Sequence, residues 1–308
     1  MFSTALLPVS FRESMSRIHA MLTFLHNFDT ERVVFLHVSS GPVTAGTERK
    51  LQAFRDQAAR DLAETRAAAG AEATQMQELV LDARVHSGSP AFEIAVTARE
   101  EGADFIYFPW KRKSWIQQTL IGSTTRDVIR LSNLPIFVSK QRGVKSPEEP
   151  FRVLYPTNFQ STDRYVIPYL RYPGLAADDL ILLNAHDRAP DPTAESRQKQ
   201  WCTENLSRLT EEVKDNFTEV EPVSMTGSPR RVVPRMVRRN SVDLVILGKS
   251  DQESALTAMM GSVAEEIAKS TPCSVFVVSR AYQPPAESAA PETTGTGEDR
   301  DHGEGGAE

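Results

Sequence analysis

The chain has 308 residues, 40% hydrophobic and 25% charged, which suits two soluble domains of ordinary size. Its net charge of −6 arises beyond Ala281, where Glu287, Glu292, Glu298, Asp299, Asp301, Glu304 and Glu308 stand against Arg300; residues 1–280 sum to about zero, which argues against a nucleic-acid or membrane partner for the folded part. No apolar run reaches the ~18–20 residues of a membrane helix, the N-terminus lacks the basic start of a signal peptide, and Cys202 and Cys273 match no metal-ligand spacing, so they read as free thiols in a reducing cytosol.

Strands and helices alternate along the chain. TALLPVS (4–10) is a short apolar strand, and Ser14, Ile18, Met21, Leu22 and Leu25 recur at helical spacing. RVVFLHV (32–38) is a second strand, residues 44–69 a long helix ending at Gly70, and QELVLDARVH (77–86) a third strand. Ser89 can cap the next helix, with Pro90 at its first position, where a missing N–H costs nothing. DFIYF (104–108), a short helix 124–132 and PIFVS (135–139) complete the first half. Polar residues 141–150, with two prolines, form a linker. The second half repeats the order at 152–158, 162–171, 179–185, 194–216, 218–225, 229–240, 242–247, 262–270 and 274–279. Near-continuous Val/Ile/Leu strands between helices specify an α/β fold of two tandem doubly wound domains, each a parallel sheet with helices on both faces. The domains are 1–140 and 151–280; the tail 281–308 has too little apolar surface to order.

The halves also match residue by residue. With one offset of 139, Gly88-Ser89-Pro90 falls on Gly227-Ser228-Pro229, Asp104 on Asp243, and Gly122-Ser123 on Gly261-Ser262. LLPVSF (6–11) resembles LYPTNF (154–159), and FLHV (35–38) resembles LLNA (182–185). A repeat this long is a duplicated domain. Parallel sheets bind ligands beyond the carboxyl ends of their strands, which points to the loops after strands one and four of each half. In the second half the later loop reads Leu247-Gly248-Lys249-Ser250-Asp251, then nine residues, then Gly261-Ser262-Val263 opening a helix. A glycine after a strand lets a ligand approach the backbone, and Gly-Ser at a helix start offers N–H groups and a hydroxyl to an anion. Taken alone, the same residues also make a tight turn and an N-cap.

Together these motifs resemble the universal stress protein (UspA-like) family in its tandem form, over about residues 2–140 and 151–280. The resemblance implies five parallel strands per domain in the order 3-2-1-4-5. It also implies a nucleotide loop, G-x-x-G-x9-G-[ST], holding the ribose and phosphates of ATP after strand four. Carried onto this chain, the second-half contacts are Thr157, Asn158, Ala185, Leu247, Gly248, Asp251, Gly261, Ser262 and Val263. In the first half they are Ser10, Val38, Gly122, Ser123 and Thr124. Departures weaken both sites. Pro109 and Arg112 replace the leading glycines of the first half, and Pro109 has neither an N–H nor a free φ. In the second half Asp251 replaces a glycine and brings a carboxylate toward the phosphates, a repulsion of roughly 1–4 kcal/mol per charge pair at ~4 Å. Where the family resemblance implies an acidic residue after strand one, this chain has Ser10 in one half and Asn158 in the other, both uncharged.

Other features have bland readings. The basic loop WKRKSW (110–115) reads as solvated, with one Trp over an empty pocket, or as a stacking and phosphate contact. Arg230, Arg231, Arg235, Arg238 and Arg239 read as a solvated helix face or a docking face, with Pro234 kinking the helix. His37 is a strand polar residue, and His86 has no evident acid beside it. No arrangement sets a general base beside a nucleophile, and no metal is implied. The family resemblance implies a non-enzymatic, cytoplasmic stress-response protein that binds an adenine nucleotide in its second half and acts through protein contacts. Two alternatives remain: a slow ATP hydrolase or autophosphorylating enzyme at Gly261-Ser262, and a scaffold with both pockets inactive. The fifth strands, 135–139 and 274–278, are apolar edges expected to pair as an intramolecular pseudo-dimer.

Overall fold

The computed structural model describes residues 2–26, 30–68, 78–109, 122–140, 151–172, 175, 177–249 and 262–278. The linker 141–150, the basic loop 110–115 and the tail from 279 lie outside the described residues.

The first half runs β1 (Thr4–Pro8), α1 (Met15–His26), β2 (Arg32–Ser39), α2 (Ala45–Ala68), β3 (Val80–Ser87), α3 (Pro90–Glu100), β4 (Phe105–Pro109), α4 (Ser123–Leu131) and β5 (Ile136–Ser139). The second runs β6 (Arg152–Thr157), α5 (Asp163–Leu170), β7 (Asp179–His186), α6 (Pro192–Val213), β8 (Glu219–Thr226), α7 (Pro229–Arg239), β9 (Leu244–Gly248), α8 (Ser262–Ser270) and β10 (Ser274–Val278). Some boundaries move from expectation. The third strand starts at Val80, the ninth at Leu244, and the foreseen helix 194–216 ends in a 3-10 turn at Lys214–Asn216.

Each half is a parallel sheet in the order 3-2-1-4-5, and β5 pairs antiparallel with β10, Phe137 opposite Phe276. The result is one ten-stranded sheet, β3-β2-β1-β4-β5-β10-β9-β6-β7-β8. Both short fifth strands thereby bury their backbone edges in each other. The inner strands alternate between two cores. Leu7, Phe35, Tyr107 and Phe276 point toward α1, α2, α5 and α6; Leu6, Val34, Ile106 and Val277 point toward α3, α4, α7 and α8. Aromatic rings bridge the seam on the first face. Phe276 lies 5.7 Å from Phe2, 5.3 Å from Tyr169 and 6.1 Å from Phe137, which in turn stacks on Tyr107 at 4.9 Å.

Two lysines lock the other face. Lys140, just after β5, is buried and donates from Nζ to the carbonyls of Ala268 and Thr271 at the end of α8. Lys249, just after β9, is buried and donates to the carbonyls of Ile129 (2.8 Å) and Ser132 (3.3 Å) at the end of α4. The last carbonyls of a helix lack intrahelical partners and carry partial negative charge, so an ammonium fits there. Each half caps a helix of the other.

The repeated motifs outside the loops have structural roles. Asp104 Oδ2 accepts from Ser3 Oγ and Thr4 N, both 2.9 Å, and Asp243 Oδ2 accepts from Arg152 N at 2.9 Å. Each aspartate thus anchors the first strand of its half. Gly88 and Gly227 adopt φ of 145° and 138°, a region closed to residues with a Cβ, and turn the chain from strand three into the next helix. Ser89 and Ser228 stand at the N-cap positions, but neither side chain makes a capping bond. The proline that follows each already fixes the first turn.

Candidate functional site

The second-half candidates gather at one edge of the sheet. β6 is the switch strand, pairing with β7 on one side and β9 on the other. The carboxyl ends of these three neighbours carry Thr157-Asn158, Ala185 and Leu247-Gly248. Helix α8 opens at Ser262, and Val263 in its first turn is exposed. Asp251 and Gly261 lie outside the described residues.

Thr157 is buried, and its hydroxyl is committed within the protein. It donates to the Asp163 carboxylate (2.9 Å) and accepts from Phe159 N (2.9 Å), while its carbonyl accepts from Asn184 Nδ2 (2.9 Å). Tyr155 OH donates to the same carboxylate at 2.5 Å. Burial raises the Asp163 pKa above the usual carboxylate value, with these two hydroxyls opposing the rise. Asn158 is exposed and bonds Gln160 Oε1 at 3.0 Å. Its Oδ1 accepts in turn from Gln160 N at 3.3 Å.

Gly248 has a reason of its own. A Cβ there would fall 2.7 Å from Thr162 Cβ and 3.4 Å from Val166 Cγ2. The missing side chain makes room for the start of α5, whether or not a ligand binds. At Gly122 in the first half a Cβ would meet nothing closer than Thr125 Oγ1 at 3.9 Å, so that glycine serves as an ordinary N-cap of α4.

The end of β1 differs from the end of β6. Glu13 folds back so that its carboxylate accepts from Ser10 N (3.0 Å), Ser10 Oγ (2.8 Å) and Arg12 N (3.1 Å). It brings a carboxylate to the end of β1, where Ser10 has none. Val38 closes β2 half-buried, and Ser123-Thr124 open α4. The basic residue Arg112 lies outside the described residues, while Pro109 is the buried last residue of β4.

Both halves share a strained residue that sequence reading missed. Phe11 and Phe159 follow the first strand with φ of 60° and 59°, uncommon for a bulky side chain and concentrated at functional turns. The Phe11 ring lies 4.1 Å from that of His37, whose Nδ1 is 3.0 Å from Val9 O, and Lys50 Nζ sits 4.6 Å over its face. The Phe159 ring meets Trp201 edge-on at 5.0 Å, and Trp201 is half exposed. Only the repeated F in LPVSF and LYPTNF signalled this in the sequence. His86 is also not isolated as expected: its Nδ1 lies 3.4 Å from Glu93 Oε2 and 3.1 Å from Thr97 Oγ1, because strand three packs against α3. Among the described residues no cluster of acids, histidines and cysteines could hold a metal, and no helix is long and apolar enough to cross a membrane.

The universal stress protein family model matches residues 1–140 and again 152–279. A universal stress protein of Methanocaldococcus jannaschii is 22% identical over 153 residues, 42% of this chain and 94% of that protein. A solved universal stress protein from Archaeoglobus fulgidus superposes with a TM-score of 0.59 at 18% identity, covering 90% of this chain and 96% of its own. A universal stress protein solved in complex with cAMP aligns over 42% of this chain and 96% of its own at 19% identity and a TM-score of 0.33. With two full matches to the family model and a five-stranded unit built twice, the chain belongs to the universal stress protein family.

Proposed function

We propose that the second half binds an adenine nucleotide and that the protein acts without catalysis, through contacts with other proteins in the cytoplasm. The observation that supports this reading is that three neighbouring strands, β7, β6 and β9, end together at Ala185, Thr157-Asn158 and Gly248, and that α8 opens at Ser262 along the chain from β9. Free N–H groups at the start of that helix suit phosphates, helped by its dipole. The first half contributes the seam of a pseudo-dimer rather than a second pocket. Glu13 fills the end of β1, and Pro109 stands where the loop would begin.

Calorimetric titration of ATP, ADP, AMP and cAMP into the wild type and three variants tests this. Gly261→Val should abolish binding, Gly122→Val should leave it unchanged, and Asp251→Gly should tighten triphosphate binding. Loss of binding from Gly122→Val would move the site to the first half. No heat with any nucleotide would leave a scaffold. Phosphate release lost on Gly261→Val would establish the enzyme instead.

A further inference from the structure

Helix α7 carries a charge pattern that its counterpart lacks. Arg230, Arg231, Arg235, Arg238 and Arg239 are all exposed, and with Pro234 and Ser270 they line an open hollow of about 660 Å³. Arg231, Arg235 and Arg239 succeed one another at four-residue spacing, with Arg238 beside them, so they form a stripe along one side of the helix. These four have no carboxylate partner among the described residues. On the neighbouring α8, Glu265 is held by Lys269 at 2.7 Å. Like charges at this spacing repel, and the fold does not need them. At the same places in α3 stand Phe92, Val96, Arg99 and Glu100, on a helix with the same role in the other half. The stripe is therefore an addition to the second copy, and it calls for an anionic counterpart.

The chain supplies one. Residues 281–308 hold seven acids and one arginine, while residues 1–280 sum to about zero. We infer that α7 is the docking surface for the acidic C-terminal segment of the same chain, from Glu287 onward. Length permits it: the described chain ends at Val278, and nine residues to Glu287 span up to ~30 Å, more than the ~16 Å of an eleven-residue helix. Glu298, Asp299, Asp301 and Glu304 fall within seven residues and match the four arginines in number. Each exposed pair is weak alone, but a tethered segment reaches effective concentrations on the order of millimolar. Docking in cis occupies the arginines, and any other polyanion must displace the tail to reach them.

The test is amide NMR of the full chain at about 25 mM and about 500 mM salt, where screening differs several-fold. In the wild type the signals of Glu287–Glu304 should shift and broaden at low salt and return at high salt. In the variant Arg231→Gln/Arg235→Gln/Arg238→Gln/Arg239→Gln they should hold their high-salt positions throughout. A second variant, with the seven tail acids changed to amides, leaves the folded body untouched and should behave the same way. Fluorescent oligothymidylate is the competing probe, and neutralising the tail should tighten any binding of it several-fold. Tail signals indifferent to salt, or moving alike with and without the arginines, would overturn the inference. Oligothymidylate bound equally with and without the tail acids would assign the stripe to nucleic acid instead.

Discussion

Lys140 gives a sharp test of the seam. Its amine is buried between the two halves, against the carbonyls of Ala268 and Thr271. Burial lowers its pKa from 10.5 to about 8, with the Cys273 thiol pulling weakly the other way. Below pH 8 the folded protein bears the cost of a buried ammonium; between about 8 and 10.5 the unfolded chain keeps the proton and the folded chain releases it. Stability therefore rises with pH across that window, and the cost is gone once both states are neutral. At about 1.4 kcal/mol per pH unit, the full crossing is worth about 3 kcal/mol. The neutral amine still has two N–H groups for the two carbonyls, so no bond need be lost. Lys140→Met removes the titration. Urea unfolding of wild type and variant at intervals from pH 7 to 10.5 isolates it, because titrations of groups not coupled to Lys140 cancel in the difference and the folded Cys273 thiol, pushed up to about 12, stays protonated across the range. The wild type should gain about 3 kcal/mol on the variant over that range. Parallel curves, with a difference constant to within about 0.5 kcal/mol, would mean that Lys140 reaches water and that the seam is looser than described.

Gly248→Ala should cost about 1–3 kcal/mol by forcing a Cβ against Thr162, whereas Gly122→Ala, with open space for its Cβ, should lose only the N-cap preference of about 0.5–1 kcal/mol; thermal or urea unfolding reads both. Asp163, with its pKa raised by burial, should make the wild type lose stability relative to Asp163→Asn as pH climbs from 3.8, so a difference that is flat with pH would place its carboxylate in water. Both thiols are buried and pushed up in pKa, Cys273 to about 12, so a disulfide reagent should modify them only as fast as the protein opens; rapid labelling of the native state would contradict the burial.

The sequence made the fold legible wherever information was local. Apolar runs located the strands, and the duplicated GSP and GS motifs aligned the halves. The family resemblance, together with the apolar character of PIFVS and SVFVV, pointed to the β5–β10 seam. Long-range partnerships stayed hidden. Nothing near Lys140 or Lys249 marks them as buried, since their acceptors lie 117 to 131 residues away. Glu13 and Asp163 carry no local signal of their roles: one folds back onto Ser10 and the other is drawn inward by Tyr155 and Thr157. Gly248 read as a ligand clearance, and the structure adds a packing reason that no spacing rule could supply. His86 seemed solitary because Glu93 reaches it only after strand three has turned into α3.

The crossed lysines carry a consequence for how such a chain can be divided. Helix α4 starts at the first-half loop and finishes against Lys249, which follows directly on the β9 end of the second-half site. Helix α8 starts at the second-half loop and finishes against Lys140. A helix of nine residues is a stiff rod of ~13 Å, so each of these helices is held at its far end from the opposite half. An isolated half would lose that brace, open a strand edge and expose the aromatic face around Phe276. The duplication has produced a single mechanical body, in which neither copy is a spare module that could be excised, swapped or expressed alone without freeing the other's helix end.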